Sequence, residues 1–200
     1  MRKLVVCTNL SLDGVMQSPG RPDEDERGGF THGGWGAPYG AMAHAGAVFA
    51  ETDALLLGRR TYEDFYDVWP KRPDSPFTPW LTGVRKYVAS RSLREPLPWS
   101  NSVLLEDDLA GSIGSVKREP GKNILVMGSG ELVQSLMPTG LIDEYVLLIH
   151  PIVLGAGRRL FPDHGTFAQL TLIGSMATPN GVMIGTYRPS AQPRHAHPTA

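Results

Sequence analysis

The stretch Asn123-Ile124-Leu125-Val126-Met127-Gly128-Ser129-Gly130-Glu131-Leu132-Val133-Gln134-Ser135-Leu136 decides how this chain is read. Its first part is an apolar run of strand length, its middle a turn with two glycines around Ser129, and its last part carries Leu132, Val133 and Leu136 at the spacing of one helix face. Glycine lets a backbone approach a ligand without a Cβ in the way. A helix start presents unpaired N–H groups and a partial positive charge. The segment therefore suits an anion, and a dinucleotide phosphate is the first reading. The same glycines also serve a strand-to-helix turn for steric reasons alone, so the residues around this turn have to decide.

Working outward, short apolar runs alternate with amphipathic ones. Residues 3–10, 53–58, 85–89 and 102–105 read as strands, the first apolar nearly throughout and so buried on both faces. Residues 39–51 and 60–68 read as helices, whereas 109–117 has weak helical character interrupted by Gly111 and Gly114. Pro70, Pro73, Pro76 and Pro79 mark a stiff connection read as lacking regular structure. After Asp143, residues 144–150 and 152–154 are continuous β-prone segments. Residues 169–176 and 182–188 follow as strands joined through Pro179-Asn180-Gly181, and Asn-Gly between two such runs signals a hairpin. The pattern predicts an α/β domain of three layers with a mixed, mostly parallel sheet and a C-terminal antiparallel hairpin. One domain over 1–188 accounts for it, and the polar segment 189–200 is expected to be a disordered tail.

A chain of 200 residues is long enough to bury roughly 70% of its unfolded surface in one core. Nineteen Lys and Arg against twenty Asp and Glu leave a net charge of -1 with no block of like charge. That excludes the electrostatic footprint of a nucleic-acid or membrane-surface binder and leaves a small molecule as the expected partner. The lone Cys7 lies in an apolar run, where burial raises a thiol's pKa, so it reads as a core residue in a reducing, cytoplasmic protein. The N-terminal apolar stretch is too short for a signal peptide, and no run approaches the ~20 residues of a membrane span. His32, His44, His150 and His164 lack metal-ligand spacing and His195 and His197 fall in the tail, so no metal is expected.

Three strand ends carry residue types that hold phosphates: Gly58-Arg59-Arg60-Thr61-Tyr62, Ser90-Arg91-Ser92, and Gly128-Ser129-Gly130. In an open α/β sheet, ligands collect beyond the carboxyl ends of the parallel strands, so the three can face one crevice. To these the chain adds Ser11-Leu12-Asp13-Gly14, Glu63, Glu131-Leu132, Leu141-Ile142-Asp143-Glu144, Pro151-Ile152-Val153-Leu154-Gly155-Ala156-Gly157 and Leu160-Phe161. As an ordered set spanning about 2–188, they resemble the dihydrofolate reductase-like superfamily. The likeness is closer to the reductase domain of the bifunctional riboflavin-biosynthesis deaminase/reductase and its stand-alone bacterial relatives. The resemblance implies an NADPH-dependent reductase, homodimeric, acting on a small pterin-, aminopyrimidine- or flavin-like heterocycle. It implies that Gly58, Arg59, Thr61 and Tyr62 hold the pyrophosphate, and that Ser90 and Arg91 lie near the adenosine 2′-phosphate. Gly128, Ser129, Gly130, Glu131 and Leu132 would form a second turn under the cofactor, and Leu12, Asp13 and Val15 would lie beside the nicotinamide and substrate. The zinc-binding residues of the deaminase half do not occur in this sequence, so the complete bifunctional enzyme is not expected.

Residues 17–40 crowd Gly, Pro and acids around Phe30, Trp35 and Tyr39, which reads as a mobile lid over a ligand or as an insertion without one. Trp35 either stacks on a planar substrate or tethers the loop. Hydride transfer asks for orientation, exclusion of water and a route for one proton. Asp13, where the first strand opens into the loop, is the catalytic candidate, with a plain Asp-Gly turn as the other reading. A non-catalytic nucleotide-binding sensor or assembly protein would keep the same turns and Arg91. Finally, the apolar segments 146–149 and 151–154 exceed what one sheet needs to bury, which places a dimer interface over them.

Overall fold

The computed structural model describes residues 1–190. In chain order its elements are β1 (Leu4–Ser11), α1 (Gly46–Ala50), β2 (Thr52–Gly58), α2 (Arg59–Val68), α3 (Thr78–Gly83), β3 (Arg85–Ala89), β4 (Ser102–Leu104), α4 (Leu109–Arg118), β5 (Asn123–Met127), α5 (Gly130–Leu136), β6 (Glu144–His150), β7 (Leu170–Ala177) and β8 (Met183–Pro189). The strands form one eight-stranded sheet in the order β4-β3-β2-β5-β1-β6-β8-β7. From β4 to β6 the neighbours are parallel, and β8 and β7 close the sheet antiparallel through the Asn-Gly turn. Among the described residues, no helix is long and apolar enough to cross a membrane.

Alternation of side chains along the central strands divides the core in two. Leu4, Val6 and Leu10 of β1 pack with Ile113 and Val116 of α4 and with Leu132, Val133 and Leu136 of α5 on one face. Val5 and Cys7 pack with Ala45, Tyr62 of α2 and Leu81 of α3 on the other. Cys7 is buried, and desolvation pushes its thiol up to about 12, as befits an inert core residue. The sheet is thus covered on both faces, the condition under which parallel strands read as unbroken apolar runs.

Several elements depart from the sequence reading. The proline-rich connection does contain regular structure: a 3-10 turn at Trp69–Lys71, then α3 with Pro79 in its first turn, where the missing N–H has no intrahelical partner to lose. The other end of α3 is held by a buried lysine. Lys86 Nζ donates to Thr82 O (3.2 Å), Val84 O (2.8 Å) and Ser100 O (3.1 Å), over the face of Trp99 at 4.4 Å. The single helix expected over 39–51 is instead a 3-10 segment, Ala41–Ala45, followed by the short α1. Left-handed Gly40 (φ 58°) starts it, and its small side chains supply too narrow an apolar stripe to hold one straight helix.

Conversely, α4 runs unbroken through Gly111 and Gly114 because Asp108 Oδ1 accepts from Gly111 N (3.0 Å) and the last turn carries Lys117 and Arg118. Residues 152–154 are not a strand. Pro151 has no N–H to offer a ladder, and Ile152 and Leu154 pack with Val15, Phe30 and Trp35 in a third, smaller cluster. At the C-terminus, β8 includes Pro189, and Ser190 N donates to Gln169 O (2.8 Å), so ordered structure extends past the expected boundary at 188. The rest of the expected tail, 191–200, lies outside the described residues.

Candidate functional site

Because β1, β2, β3, β5 and β6 are parallel, their carboxyl ends share one edge of the sheet. The connections after β2 cover one face and the helices before and after β5 cover the other, so the chain leaves the adjacent ends of β2 and β5 toward opposite faces. Ligand crevices form at such switch points. Here the two glycine turns are bonded to each other. Gly58 N donates to Ser129 Oγ (3.0 Å), and Ser129 N donates to Thr61 Oγ1 (3.1 Å). Gly128 (φ 58°) and Ser129 (φ 53°) are both left-handed, which aims the chain from β5 into α5. Neither α2 nor α5 has a side-chain cap, so the first-turn N–H groups of the ten-residue α2 have no side-chain partner. A Cβ on Gly130 would stand 2.5 Å from Met16 Sδ, so in this structure the glycine makes room for Met16.

Charge gathers at the same turn. Glu131 Oε1 accepts from Arg27 (3.3 Å), Arg60 (3.2 Å) and Arg158 (3.0 Å), which come from the lid, α2 and the loop after β6. Asp25 also pairs with Arg27 (2.7 Å), so three guanidiniums face two carboxylates and the rim keeps a positive excess suited to an anion. Sequence reading named Glu131 and, within the turn after the second strand, Arg60, but not Arg27 or Arg158; the three are scattered along the chain and converge only in the fold. Arg59 instead pairs with Glu63 one helical turn on, at 2.8 Å. The side chains of Tyr62 and Leu132 belong to the core; Tyr62 is 1% exposed and its hydroxyl accepts from Trp99 N (3.0 Å). Ser90 Oγ accepts from Ser92 N (3.1 Å) and Leu93 N (3.0 Å), and the pairing of Gly58 with Ala89 sets exposed Arg91 beside the end of β2. Glu51 and Asp53 lie at the opposite edge of the sheet, where Asp53 pairs with Arg2.

On the other side of the crevice, Asp13 is fully engaged. Its Oδ1 accepts from Ser11 Oγ (2.6 Å) and Leu154 N (3.1 Å), and its Oδ2 from Gly155 N (2.9 Å). The Ser11 bond foremost, aided by those two backbone donors, lowers its carboxyl to about 2. Gly14 (φ 80°) donates to Ser11 O (2.9 Å), so the Asp-Gly turn forms as well. Met16 N reaches Arg158 O (2.8 Å) and Arg158 N reaches Gln17 Oε1 (2.9 Å), fastening residues 13–17 to 154–159. Val15 is buried in the third cluster, whereas Leu12 is 63% exposed.

The lid is packed down. Arg21 grips Asp64 of α2 bidentately (2.6 and 3.2 Å), and Trp35 Nε1 donates to Gln17 O (2.8 Å), so Trp35 does tether the loop. Under it lies a residue that sequence reasoning passed over except as a metal ligand. His150, at the end of β6, is 0% exposed, bonds Asn9 Oδ1 through Nε2 (2.8 Å), and meets Trp35 and Tyr39 edge-on at 5.1 and 5.0 Å. Desolvation holds its pKa down to about 4. The available signal was a histidine closing an otherwise apolar strand, paired with an asparagine inside another.

Residues 2–184 match the RibD C-terminal domain family. The chain belongs to that family. This RibD C-terminal domain is 30% identical over 137 residues to the uncharacterised protein YyaP of Bacillus subtilis (strain 168), covering 66% of this chain and 72% of YyaP. It is 28% identical over 177 residues to the uncharacterised YwjB of the same organism, covering 87% and 91%. Its fold superposes on a candidate riboflavin biosynthesis protein from Shewanella sp. PV-4 with a TM-score of 0.67 at 23% identity, over 94% of this chain and 99% of that one. Membership makes the RibD C-terminal domain described here a reductase-type protein of the dihydrofolate reductase-like superfamily.

Proposed function

We propose that this protein is an NADPH-dependent reductase that passes a hydride to a small heterocycle of the pterin, aminopyrimidine or flavin kind. The observation that carries the reading is the pair of glycine turns bonded through Gly58, Thr61 and Ser129 at the switch point of the sheet, beside the uncapped start of α2. These residues fit a dinucleotide. The α2 N–H groups with Arg59 and Thr61 suit a diphosphate, Ser90 and Arg91 suit a 2′-phosphate, and Gly128 to Leu132 form the second turn. When bound, the cofactor supplies the hydride.

The chain's own part is orientation and exclusion of water. Met16 and Val15 are held against the 154–159 loop by the backbone bonds of that loop, and the lid closes over the sheet end. Asp13, ionised and committed to three donors, is a positioning residue that fixes this segment. A homodimer forms part of the proposal, with its interface moved. Val146, Leu147 and Leu148 are at most 5% exposed within their own chain, so they have nothing left to bury, and of the segment 151–154 only Val153, 67% exposed, offers a large apolar surface. Exposed apolar surface lies instead on the antiparallel edge, at Leu172, Ile173, Met176 and Met183.

Titration with NADPH and NADH tests the cofactor. NADPH should bind more tightly, and Arg91→Ala should erase most of that preference, about 1.5–3 kcal/mol. Equal affinity for the two in the parent protein sinks the reading. NADPH oxidation stimulated by a pterin, flavin or aminopyrimidine then separates a reductase from a protein that only holds a nucleotide.

A further inference from the structure

His150 is more than a packed core histidine. Its Nε2 is satisfied by Asn9, yet its Nδ1 is buried with no hydrogen-bond partner among the described residues. Buried polar atoms left unpaired are uncommon and costly, and each calls for a reason. With Asn9 Oδ1 as the acceptor, Nε2 carries the proton and Nδ1 keeps its lone pair. The ring is neutral at physiological pH. Nδ1 is thus an acceptor awaiting a donor.

Its position is that of a ligand-facing group. His150 closes β6 opposite Ser11 of β1, at the edge of the sheet where the crevice opens. A Cβ on Gly36 would come within 3.6 Å of His150 Cε1, the carbon between the two ring nitrogens, so the lid backbone passes close over the nitrogen side of the ring. What covers it there is aromatic: Trp35 and Tyr39 stand edge-on against the imidazole. Neither supplies a donor: Trp35 Nε1 is committed to Gln17 O, and the Tyr39 hydroxyl makes no hydrogen bond to Nδ1. The lid therefore seals the ring with flat apolar surface and leaves its one polar need unmet.

We infer that His150 is the substrate-recognition residue of this crevice, with Nδ1 accepting a hydrogen bond from a ring N–H of a flat heterocycle that displaces the aromatics of the lid from the imidazole, and Asn9 fixing the tautomer. The inference rests on the reductase reading for the identity of the crevice and adds what selects the acceptor. A ring bearing an N–H at the reading edge is bound, and its N-methylated counterpart is refused, because methylation removes the donor and adds bulk.

The test measures binding rather than turnover. Uracil, 5-aminouracil and pterin are titrated into the NADPH-saturated parent and into His150→Phe, each beside its ring-N-methylated form. The parent should favour at least one N–H ring by about tenfold or more, the loss expected for one hydrogen bond to a buried acceptor. In His150→Phe that preference should collapse to near unity. Should the variant fail to fold, ¹⁵N spectra of the parent decide: the Nδ1 resonance begins as that of an unprotonated nitrogen and shifts upfield when the N–H ring saturates. A parent that binds none of the rings, one that binds both forms equally, a variant that keeps the preference, or an Nδ1 signal unmoved at saturation each overturns the assignment. A ring bound in this way without NADPH oxidation would sink the reductase reading and leave His150's role standing.

Discussion

Asp13 accepts from Ser11 Oγ, Leu154 N and Gly155 N, which makes one carboxylate the tie between the loop after β1 and the loop after β6. Replacing it with Asn would leave an amide N–H facing a backbone N–H, at about 1–3 kcal/mol. The pH dependence follows from the lowered carboxyl. Its folded value of about 2 lies below its ordinary value, so the stabilisation is complete above about 4 and is lost as pH falls through 2. Urea midpoints taken from pH 5 to pH 2 should fall more steeply for the parent than for Asp13→Asn; parallel curves would show that the three bonds contribute little. Asp13 was legible from its place after the first strand. Arg27 and Arg158 were not, nor was the meeting of Arg60 with Glu131, since an arginine in a loop or on a helix surface carries no mark of the carboxylate it will meet.

Element by element, the differences from the sequence reading come down to what sits at helix ends. Asp108 caps α4 through Gly111 N, and a Cβ on Gly111 would lie 2.3 Å from Asp108 Oδ2. A Cβ on Gly114 would meet only Arg118 Nη1, at 3.5 Å. Gly114→Ala should therefore stabilise by about 0.5–1 kcal/mol and raise Tm by roughly 2–4 °C. Gly111→Ala, which displaces the cap, should lower stability by about 1 kcal/mol. Thermal melts of the two variants that moved the same way would contradict this account of α4.

The cap on α3 gives a larger effect. Lys86→Met strips three carbonyls of their shared donor and should cost about 2–4 kcal/mol at neutral pH, read from denaturant midpoints. Desolvation lowers the ammonium to about 8, so the unfolded chain binds more protons above that pH. The parent should accordingly gain stability relative to Lys86→Met as pH rises from 8 toward its ordinary value. A helix in a segment with four prolines was hidden because its C-terminal cap is supplied by the following strand.

At the scale of the whole molecule, the described residues leave one edge of the sheet uncovered. β7 is exposed along most of its length, with Leu172 51%, Ile173 44% and Met176 49% exposed, and Met183 of β8 58%. An apolar edge strand pairs with another copy or aggregates unless something covers it. Light scattering should report a dimer at micromolar concentration, and Ile173→Lys combined with Met176→Lys should convert it to a folded monomer. A monomeric parent protein would refute the placement.

By itself, the sequence determined the α/β class, the hairpin end and the three strand ends that share the carboxyl edge of the parallel strands. Those properties are written in local periodicity and turn chemistry, where each residue's neighbours in the chain are also its neighbours in space. It also placed Asp13 and the two glycine turns, because strand-to-helix turns need particular residue types at fixed offsets. Only the tertiary structure decided that Ser129 links those turns, that three distant arginines share Glu131, that Met16 fills the space over Gly130, and that the apolar run of β6 serves its own core. The same holds for the buried pairing of Asn9 with His150, which lie on adjacent strands 141 residues apart in the chain. Contacts of that range depend on which strands become neighbours and which faces are covered, and no local pattern encodes either.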